Sequence, residues 1–273
     1  MRIFRKSPGA LIRALINNRQ LLCDLAWRET VSRYKGSYFG LLWSLLTPLL
    51  MLCVYTFIFS EVFKSRWPNL DEASKGAFAL ILFSGLIIFN FFSECIGRSP
   101  GIVTSNANFV KKVIFPLEIL PVTIVLSTLF QALVSVIILF IFEFVILGSI
   151  PETAILLPVV MLPVIFLTVG LSWFFAAVGV YLRDLGQTIG IVLTGLLFMS
   201  PIFFPITSFP EQWRGVALFN PLAMPIEQMR NVLIFSKGID AGYFVYYMPI
   251  SLGVLLVGFV VFQSLRKGFP DVL

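Results

Sequence analysis

Residues 113–142 read VIFPLEILPVTIVLSTLFQALVSVIILFIF, and residues 154–180 read AILLPVVMLPVIFLTVGLSWFFAAVGV. Glu118 is the only charge in the first run, and the second has none. About 20 consecutive apolar residues cross the roughly 30 Å hydrocarbon layer. Each run is therefore read as a membrane span, and Gly148 to Thr153 join them as a hairpin. Shorter runs of the same kind lie on either side: Phe39–Phe59, Phe78–Cys95, Ile189–Ile206 and Phe244–Phe262. The expected fold is all-α and polytopic, with six transmembrane helices in a single domain over residues 1–273.

Composition agrees. The chain is 58% hydrophobic and 12% charged, whereas a soluble domain carries about 25% charged residues. Soluble and disordered classes are excluded, and little chain remains for a soluble catalytic domain. Fourteen Lys and Arg fall on one expected side against six acids, with six bases and eight acids on the other. The positive-inside rule then places both termini in the cytoplasm. These bases serve topology; without interleaved aromatic platforms they do not read as a nucleic-acid surface. Cys23, Cys53 and Cys95 fit as small apolar fillers. No histidine is present, which removes the commonest neutral-pH proton carrier. A cleavable signal peptide is not expected, because the first long apolar run follows a charged segment.

Residues 8–35 place Leu11, Leu15, Leu22, Leu25 and Ala26 at three- and four-residue spacing between arginines. This pattern predicts an amphipathic helix lying in the membrane interface. Pro48 should bend the first span, and Pro158 and Pro163 the fourth. Trp43 is read as packing. Glu143 lies near the outer end of the third span, where it is expected to reach headgroup water. Residues 99–112 hold Pro-Gly, Asn and Lys, a bent and charged loop. Residues 207–240 are the least membrane-like stretch of the second half. Two short helices are expected there, one from about Pro210 and one over Pro225–Phe235, at the outer interface.

Chemical motifs are sparse. Lys35-Gly36-Ser37 lacks the glycine run of a phosphate loop. Glu61, Glu118 and Glu143 have no spacing that would bring them together, and no metal-ligand cluster appears. An intramembrane lipid-modifying enzyme is therefore poorly supported. A structural scaffold explains the spans but neither irregular loop. Aromatic residues, Tyr38, Tyr55, Phe198, Phe203 and Phe204 among them, are candidates to stack on sugar faces along a passage between two subunits.

Arg33-Tyr34-Lys35-Gly36-Ser37 followed by Leu41-Leu42-Trp43-Ser44-Leu45-Leu46-Thr47-Pro48 resembles the start of type-2 ABC exporter permeases. The branch exporting O-antigen, capsule and teichoic acid is the most similar. Tyr181-Leu182-Arg183-Asp184 before the fifth span is similar to that branch, as is Asn220-Pro221 with Glu227 and Arg230 before the last. The usual first motif often has Asn before its Pro, where this chain has Thr47. The resemblance covers essentially the whole chain in order. It implies a homodimer in the bacterial inner membrane, bound to two copies of a cytoplasmic ATPase that uses ATP and Mg; this chain binds no cofactor. It implies a lipid-diphosphate-linked glycan as cargo, moving between the first and fifth spans of the two subunits. A drug or small lipid is the alternative cargo. The family's interface helix matches residues 10–32. Its coupling helix matches about Ser99–Lys112, with Arg98, Pro100, Asn106, Asn108, Lys111 and Lys112 as candidate contacts. Its gate helices match about 207–235, with Trp213, Asn220, Pro221, Glu227 and Arg230 as candidates. Arg28, Arg33 and Lys35 are candidates to attract the diphosphate through charge-assisted bonds.

Overall fold

The computed structural model describes residues 9, 15–58, 76–110, 115–206, 215 and 220–273. Eight helices carry the architecture: α1 (Arg19–Ser32), α2 (Trp43–Thr56), α3 (Ala77–Arg98), α4 (Ile119–Leu147), α5 (Leu157–Tyr181), α6 (Leu185–Met199), α7 (Ala223–Leu233) and α8 (Met248–Leu265). Among the described residues, four helical stretches are long and apolar enough to cross a membrane: Ala77–Gly101, Ile119–Leu147, Glu152–Tyr181 and Tyr243–Val272. Gly40–Thr56 and Leu185–Met199 are apolar but shorter. The chain is thus an all-α polytopic membrane protein.

Helix α3 is the centre of the bundle. A helix apolar all round belongs inside, and every residue from Ala77 to Phe89 is buried. α4 packs along it, α2 and α5 also contact it, and α7 packs against its first half. The most extensive contact joins α5 to α8. Glycines make it possible: a Cβ on Gly170 would sit 2.6 Å from the Val254 backbone, and one on Gly258 would collide with the Gly170 carbonyl. Close backbone approach at small residues replaces the hydrophobic drive that lipid does not supply. α6 is the opposite case. Ile189 is its one buried residue, and most of the others are exposed, so one broad face is left for lipid or another chain.

Helix ends follow the local sequence. Gly148 closes α4 in the left-handed conformation, at φ 77°, where a Cβ would be strained. Ser200 ends α6 in an extended conformation, as expected for a residue before proline. The fifth run therefore stops being α-helical at Met199, before Ile206. Pro158 sits in the first turn of α5, and Pro163 lies inside the same unbroken helix.

Two expectations change. The apolar stripe of α1 faces protein, not lipid. Leu22, Leu25 and Ala26 are buried, and Thr30 donates to Ser127 of α4 at 2.9 Å. Glu143 does not reach headgroup water. It is fully buried, and among the described residues neither carboxylate oxygen has a hydrogen-bond partner. It shares its helix face with Leu139, also fully buried, and with Ile146, which packs against Gly76 at the start of α3. That face points into the bundle.

Candidate functional site

The candidate residues collect at the two ends of the bundle and in one cleft between them. At the end carrying Arg33, Arg98 and Arg266, charges alternate in a chain. Glu29 of α1 accepts from Arg98, the last residue of α3. Arg98 also meets Glu94, one turn earlier, at 3.4 Å. Glu94 in turn holds Arg33 at 2.5 Å. Arg33 donates to Thr128 of α4 at 3.3 Å. Next to it, Tyr34 donates to Gln131 at 3.0 Å, and Gln131 donates to the Ser44 carbonyl at 2.6 Å. Burial raises the Tyr34 phenol above its ordinary value, with Arg33 opposing and Glu94 assisting. These bonds tie α1, α2, α3 and α4 into one junction. Two arginines balance two glutamates, so Arg33 is a neutralised cation here. Arg28 and Lys35 are exposed and form no ion pair among the described residues. Tyr38 is 97% exposed, edge-on to Phe39, which is edge-on to Trp43.

The chain leaves α3 through short 3-10 turns at Ser99–Gly101 and Thr104–Asn106, then a helical turn at Ala107–Val110. Pro100 is buried, packed where a Cβ on Gly179 of α5 would clash. Asn106 donates to the Ile102 carbonyl at 2.9 Å, and Asn108 is exposed. Lys111 and Lys112 lie outside the described residues. A cavity of about 630 Å³ opens beside this segment, bringing Arg98 together with Arg183, Gly186 and the C-terminal Leu273.

The opposite end is built around α7. Glu227, Gln228, Arg230 and Asn231 interrupt its apolar sequence, yet Arg230 is fully buried. Arg230 donates to the Ile81 carbonyl of α3 at 3.3 Å, to the Ile202 carbonyl at 2.7 Å and to Glu227 at 3.3 Å. Burial pushes Arg230 down to about 10, with Glu227 opposing that shift. Burial raises Glu227, against the pull of Arg230. Asn220 sets the start of α7: its carboxamide donates to Ser200 at 2.8 Å and accepts from the Leu222 N–H at 2.9 Å. The Pro221 carbonyl accepts from Tyr247 at 2.7 Å. Four gate candidates thus share one seat; Trp213 lies outside the described residues. Phe198 and Phe203 stack nearby with centroids 6.2 Å apart, and Phe204 is half-buried. Tyr55 is elsewhere, in a cleft between α2, α3 and α4.

Sequence reading missed one junction. Arg266, after α8, pairs with Glu118 before α4 and donates to the Phe115 carbonyl at 2.9 Å. The Glu118 carbonyl also accepts from Trp173 of α5 at 2.8 Å. An acid flanked by Pro116 and Pro121 at a span boundary was its only local trace. Among the described residues, no group of three or more His, Cys, Asp or Glu is placed to hold a metal.

A lipid-embedded bundle with a charged junction at one end and a buried polar helix at the other is the body of a membrane permease. The family described as ABC-2 type transporter matches residues 20–234, and the chain belongs to it. Members of this family are non-catalytic permease subunits that work with a separate ATP-using subunit. The chain is 28% identical over 264 residues to the O-antigen export system permease protein RfbA of Myxococcus xanthus, covering 96% of this chain and 98% of that one. It is 28% identical over 258 residues to the RfbA permease of Klebsiella pneumoniae, covering 93% and 95%. It is 26% identical over 243 residues to the polysialic acid transport protein KpsM of Escherichia coli, covering 87% and 90%.

Proposed function

We propose that this chain is the permease subunit of an ATP-driven exporter that moves a lipid-linked polysaccharide across the bacterial inner membrane. The observation that carries the reading is near end-to-end similarity to O-antigen export permeases, covering 96% of this chain and 98% of the Myxococcus relative. In this reading the chain crosses the membrane six times, both termini are cytoplasmic, and two copies pair. Two ATPase subunits dock on the end that carries Arg98 and Asn108. α1 is the interface helix, residues 99–112 are the coupling region, and α7 belongs to the outer gate. Arg28 and Lys35, the unpaired cations beside the charge chain, draw in the substrate diphosphate; Arg33 holds the junction itself. The exposed surface of α6 and the Phe198–Phe203 pair face the passage between subunits.

Co-purification with its ATPase, followed by ATP-dependent translocation of a defined lipid-linked glycan in proteoliposomes, tests the proposal. Glycan accumulation on the far side is expected. An intact complex that hydrolyses ATP and moves a short-chain lipid but no glycan would replace this cargo with the smaller one.

A further inference from the structure

The cleft holding Tyr55 has a volume of about 310 Å³, at the small end of the roughly 300–1,000 Å³ that ligand sites occupy. It runs along the helices from Glu94 to Phe83 of α3, about 16 Å at 1.5 Å per residue. Most polar groups on its wall are already engaged. Gln131 is bonded at both ends, and Ser135 donates to the Gln131 carbonyl. Among the described residues, Arg33 Nε is buried without a partner, and three accessible groups are unbonded as well: the hydroxyls of Thr47 and Tyr55 on α2 and the carboxamide of Asn90 on α3 make no hydrogen bond. Thr47 and Asn90 are exposed and Tyr55 is half-buried, so the cleft is reachable from outside the bundle. The remaining wall is apolar, with Met51, Phe83 and Leu86.

Unbonded polar groups at membrane depth are costly against acyl chains. Three of them on the wall of one cleft call for an occupant that can both donate and accept. Among the described residues, the charges on the wall are Arg33 and Glu94, which pair at 2.5 Å and so disfavour an ionic ligand. A pyranose ring satisfies both halves of the wall, with hydroxyls around its edge and an apolar C–H face for Met51 and the Tyr55 ring. We infer that this cleft, within one protomer, binds a single uncharged sugar ring carried on an alkyl chain.

The test uses the full-length chain in phospholipid nanodiscs, without ATP, and a photoreactive octyl β-glucoside as probe. Saturable labelling of α2 and α3 peptides is expected, displaced by unlabelled octyl glucoside but not by octanol or dioctanoylglycerol. T47V, Y55F and N90L should each weaken binding by about threefold to tenfold, the loss of one hydrogen bond. Y55F keeps the ring and the packing, so its effect separates hydrogen bonding from folding. Equal displacement by octanol or dioctanoylglycerol assigns the cleft to ordinary lipid and overturns the inference, as does unchanged affinity in Y55F and T47V. The assay requires no transported glycan. Absent binding with intact export sinks this site alone, and binding without export sinks only the export reading.

Discussion

Arg98 closes α3 by donating to Glu29 of α1, a residue 69 positions earlier in the chain. The same guanidinium meets Glu94, so the end of the central helix and the peripheral helix α1 share one cation. Both Arg98 and Glu29 remain about a third exposed, which limits the pair to about 0.5–1 kcal/mol. R98A should therefore leave the protein folded and membrane-inserted while reducing export several-fold relative to ATP hydrolysis. The charge-swapped double variant E29R/R98E should recover part of that loss. Coupling ratios, export per ATP, measured in proteoliposomes check this.

Arg230 has no exposed surface, and its removal strands the Ile81 and Ile202 carbonyls together with Glu227. Breaking a buried ion pair costs about 3–5 kcal/mol, and the lower figure applies because Glu227 keeps 29% of its side-chain surface exposed. R230M should lose about 3 kcal/mol. R230K should recover only part of it, since an ammonium cannot reproduce the planar fork. Reversible SDS unfolding is the measurement.

The α5–α8 crossing admits no side chain at Gly258. Overpacking costs about 1–3 kcal/mol, and backbone is the obstacle here, so G258A belongs at the upper end. G253A on the same helix has open space and should be neutral or slightly stabilising. Midpoints of thermal aggregation in detergent distinguish the two.

Glu143 is buried without a hydrogen-bond partner among the described residues, so its carboxyl contributes desolvation cost and no bond. Replacing such a group by an apolar one of similar shape is neutral or favourable. E143M should be as stable as the parent or more so, by up to about 1–3 kcal/mol. E143K should fail to assemble. Unfolding yields in mixed micelles give the answer, and a destabilised E143M would mean that the acid serves a bonded state.

The four long spans were legible because lipid acts on composition. An apolar run such as 154–180 declares itself without reference to any partner, and Gly148 marks the turn before it by backbone sterics alone. Burial direction was not legible. The α1 stripe looks the same whether lipid or α4 covers it, and Glu143 looks the same at a headgroup or inside the bundle. Junctions between distant residues were also hidden. Glu118 and Arg266 are 148 positions apart, and Arg230 reaches a carbonyl 149 positions away. Helical spacing carries no information at that range. α7 shows the general reason: Glu227, Gln228, Arg230 and Asn231 read as surface, yet backbone carbonyls of neighbouring segments make its interior position affordable.

Helix α3 contains no proline and no break between Ala77 and Arg98, and it is walled in along most of its length. It takes the charge chain at Arg98 and, about 26 Å away at 1.5 Å per residue, receives Arg230 on the Ile81 carbonyl. A stiff rod gripped at both ends cannot absorb a push by bending. A force applied at the Arg98 end therefore reaches the seat of α7 as axial movement; under the proposed function, the ATPase dock and the gate stand in mechanical series.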